Sequence, residues 1–355
     1  MPLLHRFWHA AATLSGRVDL SDALLQHSGE LARLDMEQLQ RLGISARHAK
    51  RWRDAIPLRT SIEFLTLDDP AYPAMLAPIP FSPPVLFYQG NTRLLSEGPR
   101  VAIVGARRCT EDGRRMARDL ARRAAAGGGV VVSGMAHGID TAAHLAAPGR
   151  TIAVLGQGLA APRTQIAHRI STKIIQSGGL IVSEFIPRQT ASKHTFPQRN
   201  RVIAGLSQLT VVVEASIRSG AMITARLALE AGRDVAAVPG SPYAPSSAGC
   251  LKLLHQGAAL IRDADDLAAI LHLPSIPPRQ PTTHTDDPVL RAIHPLGSRF
   301  DELIEGLDMT PAALGAALGA LELQGLVLRL PGDRFRPATS SCADPCAWEP
   351  SHAPE

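Results

Sequence analysis

Aromatic residues, cysteines and long hydrophobic runs are all scarce in this chain, and each shortage excludes something. Three tryptophans, three tyrosines and eight phenylalanines among 355 residues mean that any base-stacking role rests on very few side chains. The four cysteines, Cys109, Cys250, Cys342 and Cys346, are scattered apart from the last two. They form no disulfide framework and fit a reducing cytoplasm. Cys342 and Cys346 lie in a Pro/Ser-rich tail that lacks a zinc-ligand pattern, so no metal is expected. No run of about 18 apolar residues is present, which argues against a membrane span. The opening MPLLHRFWHAAATL is broken by His5, Arg6 and His9 and makes a poor secretory signal.

Cofactor motifs are missing too. The first glycine turn reads Gly105-Ala-Arg-Arg-Cys-Thr, with bulky residues where a dinucleotide fingerprint needs glycines. There is no Walker loop, and Ser133 does not sit in a nucleophile elbow. His137, His144, Asp140 and Glu214 follow strand-like runs and could act as acids or bases. Polar residues in such places more often cap helices or complete hydrogen-bond networks.

What is present is alternation. The runs VAIVG (101–105), VVVSG (130–134), TIAVLG (151–156), LIVSEF (180–185), LTVVVEA (209–215) and DVAAVPG (234–240) are short, β-branched and almost wholly apolar. Strands buried on both faces of a parallel sheet read this way. Segments of helical spacing separate them, so the expected fold is α/β, a Rossmann-like, doubly wound and mostly parallel sheet. Residues 1–60 carry leucines at helical spacing and predict a small helical domain of SAM or helix-hairpin type. The Rossmann-like domain is expected over 61–272, entered through a proline-rich extended approach. A linker covers 273–288, a winged-helix-like domain 289–338, and a disordered tail 339–355.

Ligands of open parallel sheets bind beyond the carboxyl ends of the strands. Glycine turns recur there, around Gly105, Gly134, Gly158 and Gly240. Such turns let a ligand approach the backbone, although tight strand-to-helix turns also need glycine for purely structural reasons. Basic charge gathers in the same region. Residues 100–123 hold eight arginines against three acids, and IPRQTASKHTFPQRNR (186–201) holds Arg188, Lys193, Arg199 and Arg201 with no acid. A charge run is usually a solvated face. A basic loop interrupted by one aromatic, Phe196, also suits a single strand, with cations on phosphates and a ring on a base. Charge and spacing leave nucleic acid and a small phosphorylated ligand both open.

Longer motifs narrow the choice. VAIVGAR, SGMAHGIDTAAH, TIAVLGQGL, IVSEF, FPQRNRVIAGLS, EASIRSGAMITARLALEAGRDVAAVPG and QGAALI occur in this order. Together they resemble the DNA-processing protein A (DprA/Smf) family over about residues 60–263. The resemblance implies single-stranded-DNA binding, help in loading the RecA recombinase during natural transformation, a homodimer, and no enzymatic activity or cofactor. It implies DNA contacts at Arg107, Gly134, His137, Gly158, Lys193, Phe196, Arg199, Asn200 and Arg201. Glu214, Arg218, Ser219 and Gly220 are expected in networks and caps. This chain departs from the family pattern at three places: His137 replaces an arginine, Ala161-Pro162 an aromatic-proline pair, and Cys250 an asparagine.

In the carboxyl-terminal domain, Thr310-Pro311 predicts an N-cap followed by proline at the first helical position. The helix it opens, PAALGAALGALELQG, carries no Lys or Arg, so base readout is not expected of it. Protein docking or autoregulation suits it better, with Arg329, Arg334 and Arg336 on a wing. Two other functions compete with DNA binding. One is a Rossmann-like nucleoside monophosphate hydrolase, although Ile217–Thr224 lacks the paired glycines of that group. The other is a non-catalytic interaction scaffold.

Overall fold

The computed structural model describes residues 62–275, 287–294, 297–324 and 326–337. The helical domain expected at 1–60, most of the 273–288 linker and the 339–355 tail lie outside the described residues. The described residues fall into two units, divided between Ile276 and Pro277.

The first unit is built on a nine-stranded sheet. In chain order its strands are β1 (Glu63–Thr66), β2 (Val85–Gly90), β3 (Arg100–Val104), β4 (Val130–Ser133), β5 (Thr151–Val154), β6 (Leu180–Ser183), β7 (Leu209–Val212), β8 (Asp234–Ala237) and β9 (Ala259–Leu260). Their order across the sheet is β1-β2-β6-β5-β4-β3-β7-β8-β9. The strands β6 to β9 in this order pair in parallel, while β1 and β2 pair antiparallel at one edge. All six strands expected from the apolar runs are present. The proline-rich approach is more structured than expected. It loops between β1 and β2, closed by the Tyr72 hydroxyl donating to the Pro83 carbonyl at 2.6 Å.

Helices cover both faces, because alternate side chains of each buried strand point opposite ways. On one face, α1 (Glu111–Ala126), α2 (Ile139–Ala146) and α7 (Ala264–Ile270) pack on Val101, Ile103, Val131 and Val211. On the other, α3 (Gln165–Gln176), α4 (Thr195–Gly205), α5 (Gly220–Glu230) and α6 (Ala248–His255) pack on Ala102, Val104, Val132 and Val212. The order reverses between β3 and β7, so the switch point of the sheet lies at the carboxyl ends of these two strands.

The second unit is a winged helix. It comprises α8 (Pro288–Ala292), β10 (Ser298–Arg299), α9 (Phe300–Gly306), α10 (Pro311–Leu323), β11 (Val327–Leu330) and β12 (Arg334–Pro337). The strands order as β10-β12-β11. Leu314, Leu318 and Leu321 of α10 close its core with Val289, Leu303 and Phe335. As expected, Thr310 caps α10, its Oγ1 accepting from the Ala313 amide at 3.3 Å. On the wing, Arg329 pairs with Asp333 at 2.5 Å and lies over the Phe335 ring.

Candidate nucleic-acid interface

At the switch point of a dinucleotide fold, the first helix offers its open N-terminus to a phosphate. Here that end of α1 is already filled. Glu214, which follows β7, accepts from the Thr110 amide at 2.9 Å and from the Thr110 hydroxyl at 3.1 Å. Thr110 in turn caps α1 by accepting from the Gly113 amide at 3.0 Å. A side chain at Gly113 would collide with the Glu214 carboxylate. The protein's own anion therefore occupies the seat, and Glu214 belongs to a network rather than to acid-base chemistry.

The turn after β3 then presents side chains in place of amides. Arg107 and Arg108 are both exposed. The Arg107 guanidinium carbon lies 5.4 Å from the centre of the Phe196 ring. Phe196 is 37% exposed and stands in the first turn of α4, so the ring and the cation are both accessible to solvent. Beneath the ring is Gly156, where a β-carbon would come within 2.9 Å of Phe196 Cδ1. The turn after β4 abuts the same place. Met135 and Gly138 both have positive φ, 57° and 82°, and His137 is exposed between them. A side chain at Gly138 would strike the carbonyls of Ala106 and Arg107, so only glycine lets this turn close on the β3 turn.

The segment 186–201 is not a single basic loop. Its second half is the start of α4. Ser192 and Thr195 hold the entry to the helix reciprocally, the Ser192 amide donating to Thr195 Oγ1 at 2.9 Å and Thr195 Oγ1 donating back to the Ser192 carbonyl at 3.0 Å. Lys193 and His194 are exposed at the tip of this turn.

Depth along α4 then separates the motif into two parts, a mostly exposed first turn and a run from Arg199 onward that is buried on all sides. Phe196 faces out, while Arg199, Asn200 and Arg201 are buried. Arg199 Nη1 donates to the Gly134 carbonyl at 2.5 Å and also to the Val154 carbonyl, joining the carboxyl ends of β4 and β5. Burial lowers the Arg199 pKa to about 10, partly offset by the nearby Asp140. Asn200 Nδ2 donates to the Gly220 carbonyl at 3.3 Å and so holds the start of α5. Arg201 Nη2 pairs with Glu184 at 2.6 Å, and Gln198 Nε2 donates to the same carboxylate oxygen at 3.1 Å, which fixes the end of β6. Direct DNA contact was expected of these three residues; in the fold they fasten the crest from below.

The two glycines expected to admit a DNA backbone also serve the protein's own packing. A β-carbon at Gly134 would lie 2.5 Å from Arg199 Nη1, so this glycine admits the buried guanidinium. Gly158 is buried against the carbonyls of Ile186 and Pro187, and its amide donates to the Gln189 carbonyl at 2.8 Å. It positions the segment that carries exposed Arg188.

Asp140 and His144 complete this substructure. Asp140 accepts from the Gly134 and Ala136 amides at 3.2 and 3.3 Å. Burial raises its pKa, opposed by Arg199. His144 Nδ1 lies 2.7 Å from Thr151 Oγ1. The threonine hydroxyl gives its one proton to the Val131 carbonyl at 3.0 Å, so Nδ1 must be the donor to it. Burial pushes the His144 pKa down to about 3, with Arg199 adding to the effect. Cys250 points into the core, 1% exposed, with its thiol donating to the Val212 carbonyl at 3.5 Å and its pKa pushed up to about 11 by burial. It departs from the family pattern at a position inside the core. Sequence reasoning missed Glu184 as the partner of Arg201. The signal available was the acid at the end of the apolar run LIVSEF, where a buried charge needs a counterion.

Relatives agree with this architecture. Residues 63–272 match the family model for DNA recombination-mediator protein A, and residues 273–333 match that for the DprA winged helix domain. The chain is 43% identical over 209 residues to the DNA processing protein DprA of Streptococcus pneumoniae, covering 58% of this chain and 73% of that protein. It is 32% identical over 330 residues to Protein Smf of Escherichia coli, covering 85% and 87%. The crystal structure of the Streptococcus pneumoniae protein superposes with a TM-score of 0.59 at 32% identity, covering 78% of this chain and 97% of that one. A Helicobacter pylori DNA processing protein A, described for its single-stranded DNA binding mode, superposes with a TM-score of 0.53 at 30% identity, covering 60% and 97%. On its motifs, its sheet order and these matches, the chain belongs to the DNA recombination-mediator protein A (DprA/Smf) family.

Proposed function

We propose that this protein binds single-stranded DNA along the crest formed by the carboxyl ends of its parallel strands, and that it performs no chemistry on the strand. The observation that carries the reading is the Arg107–Phe196 pair, a cation held over a ring at the rim of the sheet, with both residues exposed. Phe196 stacks a base, while Arg107, Lys193 and His137 lie against phosphates. Arg199, Asn200, Arg201, Gly134 and Gly158 hold that surface in shape without touching the strand. The relative described for its single-stranded DNA binding mode supports the same ligand.

In this reading the bound strand is handed to a RecA-type recombinase in the cytoplasm during transformation or recombination. The protein works as a homodimer. The β9 edge, where Leu260 is 47% exposed, is a suitable place for the second copy. No helix among the described residues is long and apolar enough to cross a membrane. The hydrolase alternative loses ground because Glu214, the acid nearest the switch point, is committed to Thr110.

The test is competition between a dT oligomer and a duplex of equal length for the full chain. Strong preference for the single strand is expected, because a duplex conceals its base faces from Phe196. Equal affinity for the two would overturn the reading. Nucleobase release from AMP is not expected; its detection would favour the hydrolase.

A further inference from the structure

Tyr243 is 95% exposed, the most exposed of the large hydrophobic side chains among the described residues. It is one of only three tyrosines in the chain. Chance exposure of a tyrosine on a mobile tail would mean little, but this one stands on a braced turn. It follows β8 in Gly240-Ser-Pro-Tyr-Ala-Pro, between Pro242 and Pro245. The Tyr243 amide donates to Ser241 Oγ at 3.3 Å, the Ala244 amide to the Ser241 carbonyl at 3.1 Å, and the Ser247 amide to the Ala244 carbonyl at 2.9 Å. Two fixed prolines and three hydrogen bonds hold the backbone of the turn, so that only the tyrosine side chain itself has freedom to lose when it meets a flat partner.

The turn belongs to the same crest as Arg107. The Ala106 amide donates to the Glu214 carbonyl at 2.7 Å, and the Gly249 amide donates to the Ala215 carbonyl at 2.8 Å. The β3 turn, the β7 turn and the start of α6 are thus tied in series. Neighbouring strands lie roughly 5 Å apart, so the ends of β3 and β8, separated only by β7, are about 10 Å apart. Between them the β7 turn presents Arg218, which is exposed, followed by the start of α5. Ser219 makes no side-chain cap there, and a β-carbon at Gly220 would meet open space. The Gly240–Ser247 turn carries no acid that would repel a phosphate. Taken in the order of the strands that the turns follow, the exposed groups run ring, cation, cation, ring: Phe196, Arg107, Arg218, Tyr243.

We infer that Tyr243 is a second base-stacking platform, and that the single-strand track runs from Phe196 across the β7 turn, with Arg218 on the intervening phosphate, to the turn after β8. This rests on the single-stranded-DNA reading above and extends its site. Arg218, expected from the sequence to serve in a network or cap, becomes a contact residue.

The experiment titrates fluorescent dT oligomers of graded length with full-length wild type, Tyr243→Ala and Tyr243→Phe. A parallel series uses oligomers with single 5-iodouracil substitutions, photocrosslinked and mapped by mass spectrometry. Tyr243→Ala is expected to weaken binding of the longer oligomers by roughly 5- to 150-fold, the range of one lost stacking contact. The shortest oligomers that bind should be little affected, Tyr243→Phe should bind as wild type, and crosslinks should appear on the Tyr243 peptide. Tight wild-type binding with equal affinities for Tyr243→Ala at every length, and no crosslink at Tyr243, would overturn the inference while leaving the Phe196 site standing. Failure of wild type to bind any oligomer would overturn both.

Discussion

Arg107 and Phe196 meet as a cation and a ring 5.4 Å apart, although one leaves β3 and the other opens α4. At an exposed site such a pair contributes about 0.5–1 kcal/mol. A base stacking on the ring would displace the cation from over it, leaving Arg107 to swing onto the phosphate of the same strand. Phe196→Ala is therefore expected to weaken single-strand binding roughly 5- to 150-fold. In a double-mutant cycle, Arg107→Ala should cost less in the Phe196→Ala background than alone. Strictly additive losses would show that the two residues act independently.

Lys193 and Arg199 belong to one basic motif but should fail in opposite ways. Lys193 is exposed, so Lys193→Ala should leave the unfolding free energy measured in urea within about 0.5 kcal/mol of wild type while reducing affinity. Arg199 is buried and bonded to two strand-end carbonyls. Arg199→Lys loses the Nε donation to Asn200 Oδ1 at 3.2 Å that accompanies the two Nη1 bonds, and should destabilise the fold by about 3 kcal/mol. A stable Arg199→Lys protein with selectively weakened binding would return Arg199 to the DNA surface.

Acid should loosen the fold through His144. Burial holds its pKa at about 3 in the folded protein, against an ordinary imidazole value of 6.5. Between these values the unfolded chain binds a proton that the folded chain refuses, so stability is lost as pH falls through this window. The slope from this one group reaches about 1.4 kcal/mol per pH unit. His144→Leu should flatten stability between pH 6 and pH 4 measured by urea unfolding. An unchanged slope in the variant would place the acid sensitivity elsewhere.

Helices α9 and α10 of the winged helix carry little that favours DNA. Among its described residues, α10 presents no cation and α9 holds Asp301, Glu302 and Glu305. Arg329 is already paired with Asp333. A chain ending before residue 285 should keep most of its affinity for a dT oligomer. Loss of most binding would assign this unit a direct or assembly role in holding the strand.

Much of this was legible in the sequence. Six apolar runs give six parallel strands, because strands buried on both faces need little beyond continuous β-branched residues. The edge strands β1, β2 and β9 were not legible; prolines mask the approach to β2, and β9 has two residues. At the site, residue type predicted location but not direction. Arg199 and Lys193 read alike as basic residues near an aromatic. Position along the chain decides it: Lys193 stands on the exposed turn before α4, while Arg199 lies where the helix has passed beneath the rim. Gly134 and Gly158 read as room for a ligand because glycine shows that something comes close, without showing whether it is DNA or the protein's own arginine and carbonyls.

The most direct test of the central claim is fluorescence anisotropy of a labelled dT oligomer, titrated with wild type and with Arg107→Ala/Lys193→Ala at two salt concentrations. Each phosphate contact on a single strand contributes about −0.7 to the slope of log affinity against log salt. The account predicts tight, salt-sensitive binding by wild type, and a double variant that loses most of its affinity with a slope shallower by about 1.4. Absence of wild-type binding at low salt, or a double variant with unchanged affinity and slope, would contradict a single-strand site on this crest.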